Sequence, residues 1–388
     1  MLVPLRYNLR SLLVRRSATL LTALGIGATV AIFAGVLSLE AGFRTLFQEA
    51  GREDVFLFLR PGASSEGESL WRRDKADELI KTLPEVRRTG AGEPLAAMEC
   101  YLAVRRFRIG GGETNVPVRG VEPRGFDIHG DDVRIVAGRR FRPGADEVIV
   151  GRRLVGRIRN CELGDTIQLN LTPLQVVGVF DSDGPFASEI WGDLDRMRAT
   201  LSRPDPNTVV ALLAPGADVE AMKARLREDP ALSSDVMSER EHLSAQTSFL
   251  SGTLLLLGGF LAAVMGVAAV FTATNTMLAA VAARTHEIGI LLAAGFRPFP
   301  IFLAFLLESL VLGLLGGAIG CAIVLPLHGL ETGATNFNTF TEVAFAFRVT
   351  PEVLATAVTF ALVLGLLGGA VPAWHASRLA PVTALRRR

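Results

Sequence analysis

Three sets of residues in this 388-residue chain have side chains that could do chemistry. Asp127, His129, Asp131 and Asp132 lie close enough in sequence to suggest a metal site. A loop so rich in Asp, His and Gly reads instead as a solvated turn, and no metal is expected. Ser182 and Asp181 with His129 lack the G-x-S-x-G turn that presents a nucleophile. Cys100, Cys161 and Cys321 are widely spaced, without C-x-x-C or zinc spacing. A Cys100–Cys161 disulfide outside the cytosol and two buried free thiols both fit that spacing. No catalytic set emerges, and the sequence holds no G-x-x-x-x-G-K-[ST] loop for ATP. What is left is recognition. Arg284, His286 and Glu287 interrupt two long apolar runs, and a short helical pattern from Glu287 to Ala294 stops at Gly295. An isolated helix of that length is marginal in water and needs a partner surface. Ile288, Leu291 and Leu292 recur at helical spacing and would offer an apolar face. Arg284 and Glu287 would pair with charges at its rim, and Gly289 and Ala294-Gly295 would let another backbone approach. The plainer alternative is an interhelical loop with a solvated charge cluster.

The elements that must position this helix are membrane spans. Hydrophobic residues make up 49% of the chain and charged ones 20%, too apolar for an ordinary soluble protein and too charged for an all-membrane one. A cytoplasmic N-terminus (1–16) precedes a first span (17–40). Its apolar core is longer than a signal peptide's and above the roughly 18 residues needed to cross. An amphipathic stretch (41–51) extends it as a stalk helix. Stalk and second span occupy 241–283. Their apolar run from Phe249 covers about 35 residues, or roughly 50 Å, against a ~30 Å hydrocarbon core. The short helix (284–299), a third span (300–327), an extracytoplasmic polar hairpin (328–350), a fourth span (351–375) and a tail (376–388) follow. Gly27 and Gly35, Gly258 and Gly266, and Gly313 and Gly317 are small residues at helical spacing suited to close helix packing. The first two spans, which bear the stalk, are expected to form the seam between two copies. Asn275 and Glu308 are polar groups within apolar runs. A carboxylate at the depth of Glu308 must face protein or water, as a coupling group or as a structural hydrogen bond to a neighbouring helix.

Residues 52–240 read as a large extracytoplasmic α+β domain. Strand patterns fall at Val55–Leu59, Cys100–Arg108, Asn115–Val121, Glu147–Val150, Thr166–Leu171, Gln175–Phe180, Asn207–Leu213 and Ser234–Met237. Helices are expected at Asp74–Leu83 and Asp218–Arg227. Strand–helix–strand at both ends suggests a split outer part (52–100 and 204–240) around an inserted β-rich part (101–203). The basic run Arg139, Arg140, Arg142, Arg152, Arg153, Arg157 and Arg159 reads as a solvated surface, with lipid headgroups or an acidic partner as the alternative. A net charge of +1 argues against a nucleic-acid partner. Arg6, Arg10, Arg15, Arg16, Arg284, Arg297, Arg378 and Arg386 to Arg388 flank one side of the spans. Arg348 stands alone in the other short loop. The positive-inside bias therefore puts both termini and the short helix in the cytosol.

Asn275, Arg284, Glu287-Ile288-Gly289, Ala294-Gly295, Glu308-Ser309 and Gly316-Gly317, in this order, resemble the conserved block of FtsX/MacB-type (LolC/E-, DevC-like) ABC transporter permease subunits. Pro372 through Val382 is similar to that family's ending, although Trp374 stands where the family has a basic or small residue. Gly138, Gly164-Asp165 and Val176-Val177-Gly178-Val179 resemble the MacB-like periplasmic core. The resemblance implies a multi-pass protein of the bacterial inner membrane with no cofactor of its own. It implies a separate cytoplasmic ABC ATPase, itself dimeric, that binds ATP and Mg and receives the short helix in a groove. A second permease copy, as homodimer or heterodimer, completes the assembly, with a periplasmic adaptor or envelope protein as a further partner. The implied action is mechanotransmission: ATP-driven closure is relayed to the outer domain to export or extract a lipoprotein, lipid, peptide or drug. The alternatives are an FtsX-like signalling subunit that regulates an envelope hydrolase, and a membrane receptor without an ATPase.

Overall fold

The computed structural model describes residues 16–63, 65–336 and 341–380. The expectations for residues 1–15 and for the tail beyond Ala380, including Pro381 and Val382, lie outside them. The chain divides into two compact units. One takes the described residues up to Gly42, Ser251–Leu330 and Ala346 onward; the other takes Phe43–Leu250 and Glu331–Phe345.

The first unit is helical. Helix α1 runs over Arg16–Arg44 and continues into a π-helical turn at Thr45–Glu49, in the other unit. The apolar segments Arg16–Phe47, Ser251–Ala283, Pro298–Leu327 and Pro351–Ser377 are each long and apolar enough to cross a membrane. They agree with the four spans read from hydropathy. Between lipid-facing helices small residues replace bulky ones, because close packing rather than expulsion from water brings helices together. A Cβ on Gly27 would stand 2.8 Å from Ile319, and one on Gly316 2.5 Å from Ile26. Gly313 and Gly365 similarly face each other across the third and fourth spans. Gly258 abuts Val36, Gly266 packs against Leu364, and Gly317 against Ala361. The faces of Gly27 and Gly258 are thus filled by this chain's own helices. Gly35 meets nothing.

The last helix of the unit carries Pro372 in its interior. A proline cannot donate to the carbonyl four residues back, here Gly368. That carbonyl instead accepts a hydrogen bond from the Thr274 hydroxyl at 3.0 Å.

The second unit is built on a ten-stranded sheet. Its strands are β1 Val55–Leu59, β2 Ala96–Phe107, β3 Glu113–Val121, β4 Arg134–Gly138, β5 Glu147–Gly151, β6 Thr166–Leu169, β7 Thr172–Asp181, β8 Ile190–Asp193, β9 Thr208–Leu212 and β10 Asp235–Ser238. The order is β10-β1-β9-β2-β3-β8-β5-β7-β4, with β6 beside β7. Pairs β3–β8 and β5–β7 are parallel. Helices α2 Arg73–Thr82, α3 Gly125–His129, α4 Leu194–Thr200 and α5 Val219–Glu228 accompany the sheet. The Asp218 carboxylate caps α5 by accepting from Ala221 N–H.

The boundary expected between residues 100 and 101 falls inside β2. This strand pairs with β9 through Ala96–Glu99 and with β3 through Glu99–Phe107, so one sheet runs through both expected parts. The pattern missed β4, β8, α3 and α4. The polar hairpin is formed by β11 Glu331–Asn336 and β12 Thr341–Ala346, and most of it belongs to this unit. Ala344 N–H donates to Ser188 Oγ, and the Tyr101 hydroxyl meets Thr341. Cys100 and Cys161 are free and buried, and burial pushes their thiols up to about 12 and about 11.

Candidate functional site

The long helix α6, Glu239–Ala283, ends one residue before Arg284, and the short helix α7 occupies Thr285–Ala293. Gly295 adopts φ +88, which a side chain would strain. Its N–H donates to Leu292 O, and Phe296 N–H donates to Leu291 O. These paired bonds are a Schellman ending, which satisfies carbonyls a helix otherwise leaves open. Gly295 therefore stops the helix where the sequence pattern puts its end. Helices α8 Pro298–Val324 and α9 Pro351–Ser377 follow.

The faces of α7 are the reverse of expectation. Ile288 is 3% exposed and sits in a cluster with Met277, Val281, Ile301, Phe305 and Ala373, with Leu292 packed against it. Gly289 is buried as well, and Leu291 is half-buried. The apolar stripe goes to the chain's own helices because they offer the nearest apolar surface. It is not free for a partner, and Gly289 allows no approach from outside. The outward face consists of His286, Glu287, Ile290, Ala293, Ala294 and Gly295. Ile290, which pattern reading passed over, is 50% exposed.

Arg284 is not a rim charge either. Its Nη1 stands 3.3 Å from Glu308 Oε2, with the two side chains 11% and 5% exposed. Glu308 thus faces protein and is ion-paired there. Asn275 is exposed on α6. Trp374 is exposed, with the Arg378 guanidinium 4.7 Å over its ring.

A second concentration of polar groups lies in the sheet unit. Arg119 of β3 is 3% exposed. Its Nη1 donates to Glu66 and Glu99 at 2.6 and 2.7 Å, and its Nε donates to Glu189 at 2.8 Å. His129 Nε2 lies 2.9 Å from Glu99, and its Nδ1 faces Glu239 at 3.5 Å. His242 approaches Glu66 at 3.5 Å. Glu239 also accepts from Arg52 N–H at 3.0 Å. The cluster thereby joins the residues where the chain enters this unit to those where α6 begins.

Burial works against each charge, and the partners decide the outcome. Burial opposes ionisation of Glu66, but the Arg119 charge and His242 hold its carboxyl well below the usual range. For Glu189 burial outweighs Arg119, and its pKa is raised. Burial disfavours the His129 charge, yet the Glu99 charge and the contact with Glu239 lift it to about 10. His129 is therefore an imidazolium at neutral pH, buried inside the unit. The solvated-turn reading is corrected: Asp127 and Asp131 are exposed, but His129 is 1% exposed. Its signal was the apolar company of Phe126 and Ile128 on the same short helix.

The cavity beside the cluster measures about 40 Å³. It has room for a few waters, at roughly 10–15 Å³ each, and is far below the several hundred Å³ of organic-ligand pockets. Among the described residues no His, Cys, Asp and Glu grouping suits a metal ion. The basic run is largely spoken for: Arg139 and Arg142 pair with Glu147, and Arg152 with Asp181.

Residues 19–229 match the family model described as MacB-like periplasmic core domain, and residues 259–381 match FtsX-like permease C-terminal. The macrolide export ATP-binding/permease protein MacB of Bartonella quintana (strain Toulouse) is 25% identical over 96% of this chain and 57% of its own length. The pyoverdine export ATP-binding/permease protein PvdT of Pseudomonas fluorescens (strain Pf0-1) is 26% identical over 97% of this chain and 58% of its own. The chain thus spans under three-fifths of these curated relatives. Among solved structures, the extracellular domain of the noncanonic ABC-type transporter YknZ from Gram-positive bacteria is 16% identical. It covers 47% of this chain and 99% of that one, at a TM-score of 0.35. The periplasmic region of MacB from Actinobacillus actinomycetemcomitans is 10% identical, covering 50% of this chain and 91% of that one, also at 0.35.

Proposed function

Because this chain belongs to the ABC-transporter permeases with a MacB-like periplasmic core and an FtsX-like C-terminal domain, we propose that it couples ATP hydrolysis in a separate ATPase to movement of its sheet unit. It does so as a multi-pass protein of the bacterial inner membrane, with both termini and α7 in the cytosol. ATP and Mg bind the partner, and this chain contributes no catalytic group. Two permease copies and an ATPase dimer form the assembly. The work is export or extraction of a hydrophobic or envelope substrate. The export named for the MacB and PvdT relatives supports that class.

The observation that carries the reading is the outward face of α7. Ile290, 50% exposed, stands among His286, Glu287, Ala293 and Ala294 on a helix whose other face is already used. An exposed isoleucine beside polar and small residues fits the apolar centre and polar rim of a docking face. The test is to purify the tagged chain from its native membrane and assay the eluate for ATP hydrolysis. Ile290→Asp is expected to lose about tenfold of the co-purified ATPase, since a buried unpaired charge costs at least ~1.4 kcal/mol. Leu171→Asp, at a site 95% exposed in the sheet unit, is expected to lose none. An ATPase that never co-purifies, or that ignores Ile290→Asp, overturns the reading.

A further inference from the structure

Arg284 and Glu308 each break a local rule. Helix N-caps favour Ser, Thr, Asp and Asn, and the positive end of the helix dipole disfavours a cation. Arg284 nevertheless stands at the N-cap of α7 and makes no capping bond. Glu308 lies among Phe305, Leu306, Leu307 and Leu310 in the apolar stretch of α8, where a carboxylate is costly. The two violations meet at 3.3 Å, out of solvent. One turn further along α7, Ile288 enters the cluster that includes Ile301 and Phe305 of α8. The start of α7 is therefore held to the bundle by charge and by packing, while Ile290, Ala293, Ala294 and Gly295 face outward.

We propose that Arg284 is a positioning residue rather than a partner contact: its ion pair with Glu308 pins the first turn of α7 to α8, so that a load on the outward face is delivered to the third span. The proposal rests on the docking reading for the destination of the load, but not for the pin itself. The pin divides α7 between two tasks. The residues that meet the ATPase are separate from the ones that pass its motion on.

The pin can be tested in membranes that hold the permease alone. Ile288→Cys, with Cys321 replaced by Ser, places a thiol at the buried face of α7, and a membrane-impermeant maleimide reads its exposure. Glu308→Gln and Arg284→Gln are each expected to speed labelling about tenfold, as local opening becomes easier. The exchange Arg284→Glu with Glu308→Arg is expected to return it to within about twofold of the parent, the signature of a coupled pair. Protection unchanged in both single variants, or an exchange that labels as fast as they do, overturns the pin. A parallel thiol at Ala361, 0% exposed between α8 and α9, reports opening of the whole bundle. If it too is labelled in the single variants, the exchange decides. Restored protection at both positions upholds the pin, and continued labelling overturns it.

In the complex, the single variants are expected to keep bound ATPase within about twofold and to lose permease-dependent stimulation of ATP hydrolysis, about tenfold. Loss of binding in step with stimulation would return Arg284 to the partner face and overturn the division of tasks. A parent chain that binds no ATPase removes the docking reading and leaves the maleimide result standing.

Discussion

The two units handle charge and volume in opposite ways. The sheet unit is packed with large side chains such as Trp71, Trp191 and Phe180, and it gathers buried glutamates and histidines around Arg119. The helical unit is packed on small residues, with Gly313, Gly365 and Ala361 at its closest crossing. Its described buried charge is the single pair of Arg284 and Glu308. Water explains the difference. A unit that folds from water gains from every large apolar group it hides, and that gain offsets a costly ionic cluster. A unit that folds in lipid gains no such term between its helices. It depends on close contact, and each charge in it must be matched at once.

The sharpest way to break this contrast is Arg119→Ala. It leaves the Glu66, Glu99 and Glu189 carboxylates buried without their shared cation and is expected to destabilise the sheet unit by ~3–5 kcal/mol. A denaturant midpoint read from tryptophan fluorescence measures it, and an unchanged midpoint would end the idea that the cluster holds the unit together. Next in size is the pair Gly313→Leu and Gly35→Leu. A Cβ at Gly313 meets the Ala361 carbonyl at 2.7 Å, whereas Gly35 faces open space. Overpacking costs ~1–3 kcal/mol at the first site and little at the second. Yield of monodisperse protein in detergent reports this, and equal yields would sink it.

The third test is pH. The pKa of His129 is raised to about 10 from an ordinary 6.5. A raised histidine contributes stability that is full below its unfolded value and is lost as pH climbs to its folded one. The sheet unit should therefore weaken between about pH 7 and 10, by at most ~1.4 kcal/mol per pH unit from this group. His129→Gln should remove that slope, and a slope that survives the substitution belongs to another group. The smallest effect is Asp218→Ala. It takes the cap from α5 for about 1 kcal/mol, visible as a small drop in the unit's midpoint. A drop as large as that of Arg119→Ala would mean the cluster has no special standing.

The spans and most strands were legible in the sequence because hydropathy over many residues and two-residue alternation are local signals. β8 gave no alternation, since all four of its residues are buried. β4 is the mostly exposed last strand in the sheet order, and its adjacent Ile135, Val136 and Ala137 show no apolar–polar alternation. The position of α7 was legible from Gly295 and the polar interruption. Its orientation was not, although the stripe of Ile288, Leu291 and Leu292 held the answer: the more apolar face of a short helix turns to its own bundle first. The Arg119 cluster was invisible for a different reason. Its bonds join residues 20, 53 and 70 positions apart, and no local pattern reports such a meeting.

The Thr274 hydroxyl and the carbonyl freed by Pro372 give the history of this chain a direction. While Pro372 is present, exchanging Thr274 for valine strands a carbonyl away from water, so that step costs about 1–3 kcal/mol. Once alanine stands at 372, the helix satisfies the carbonyl itself and the threonine is free to drift. Losing the proline first and the threonine afterwards avoids that cost, and the opposite order incurs it. The two positions are separate letters in the sequence, yet one hydrogen bond couples the cost of changing either.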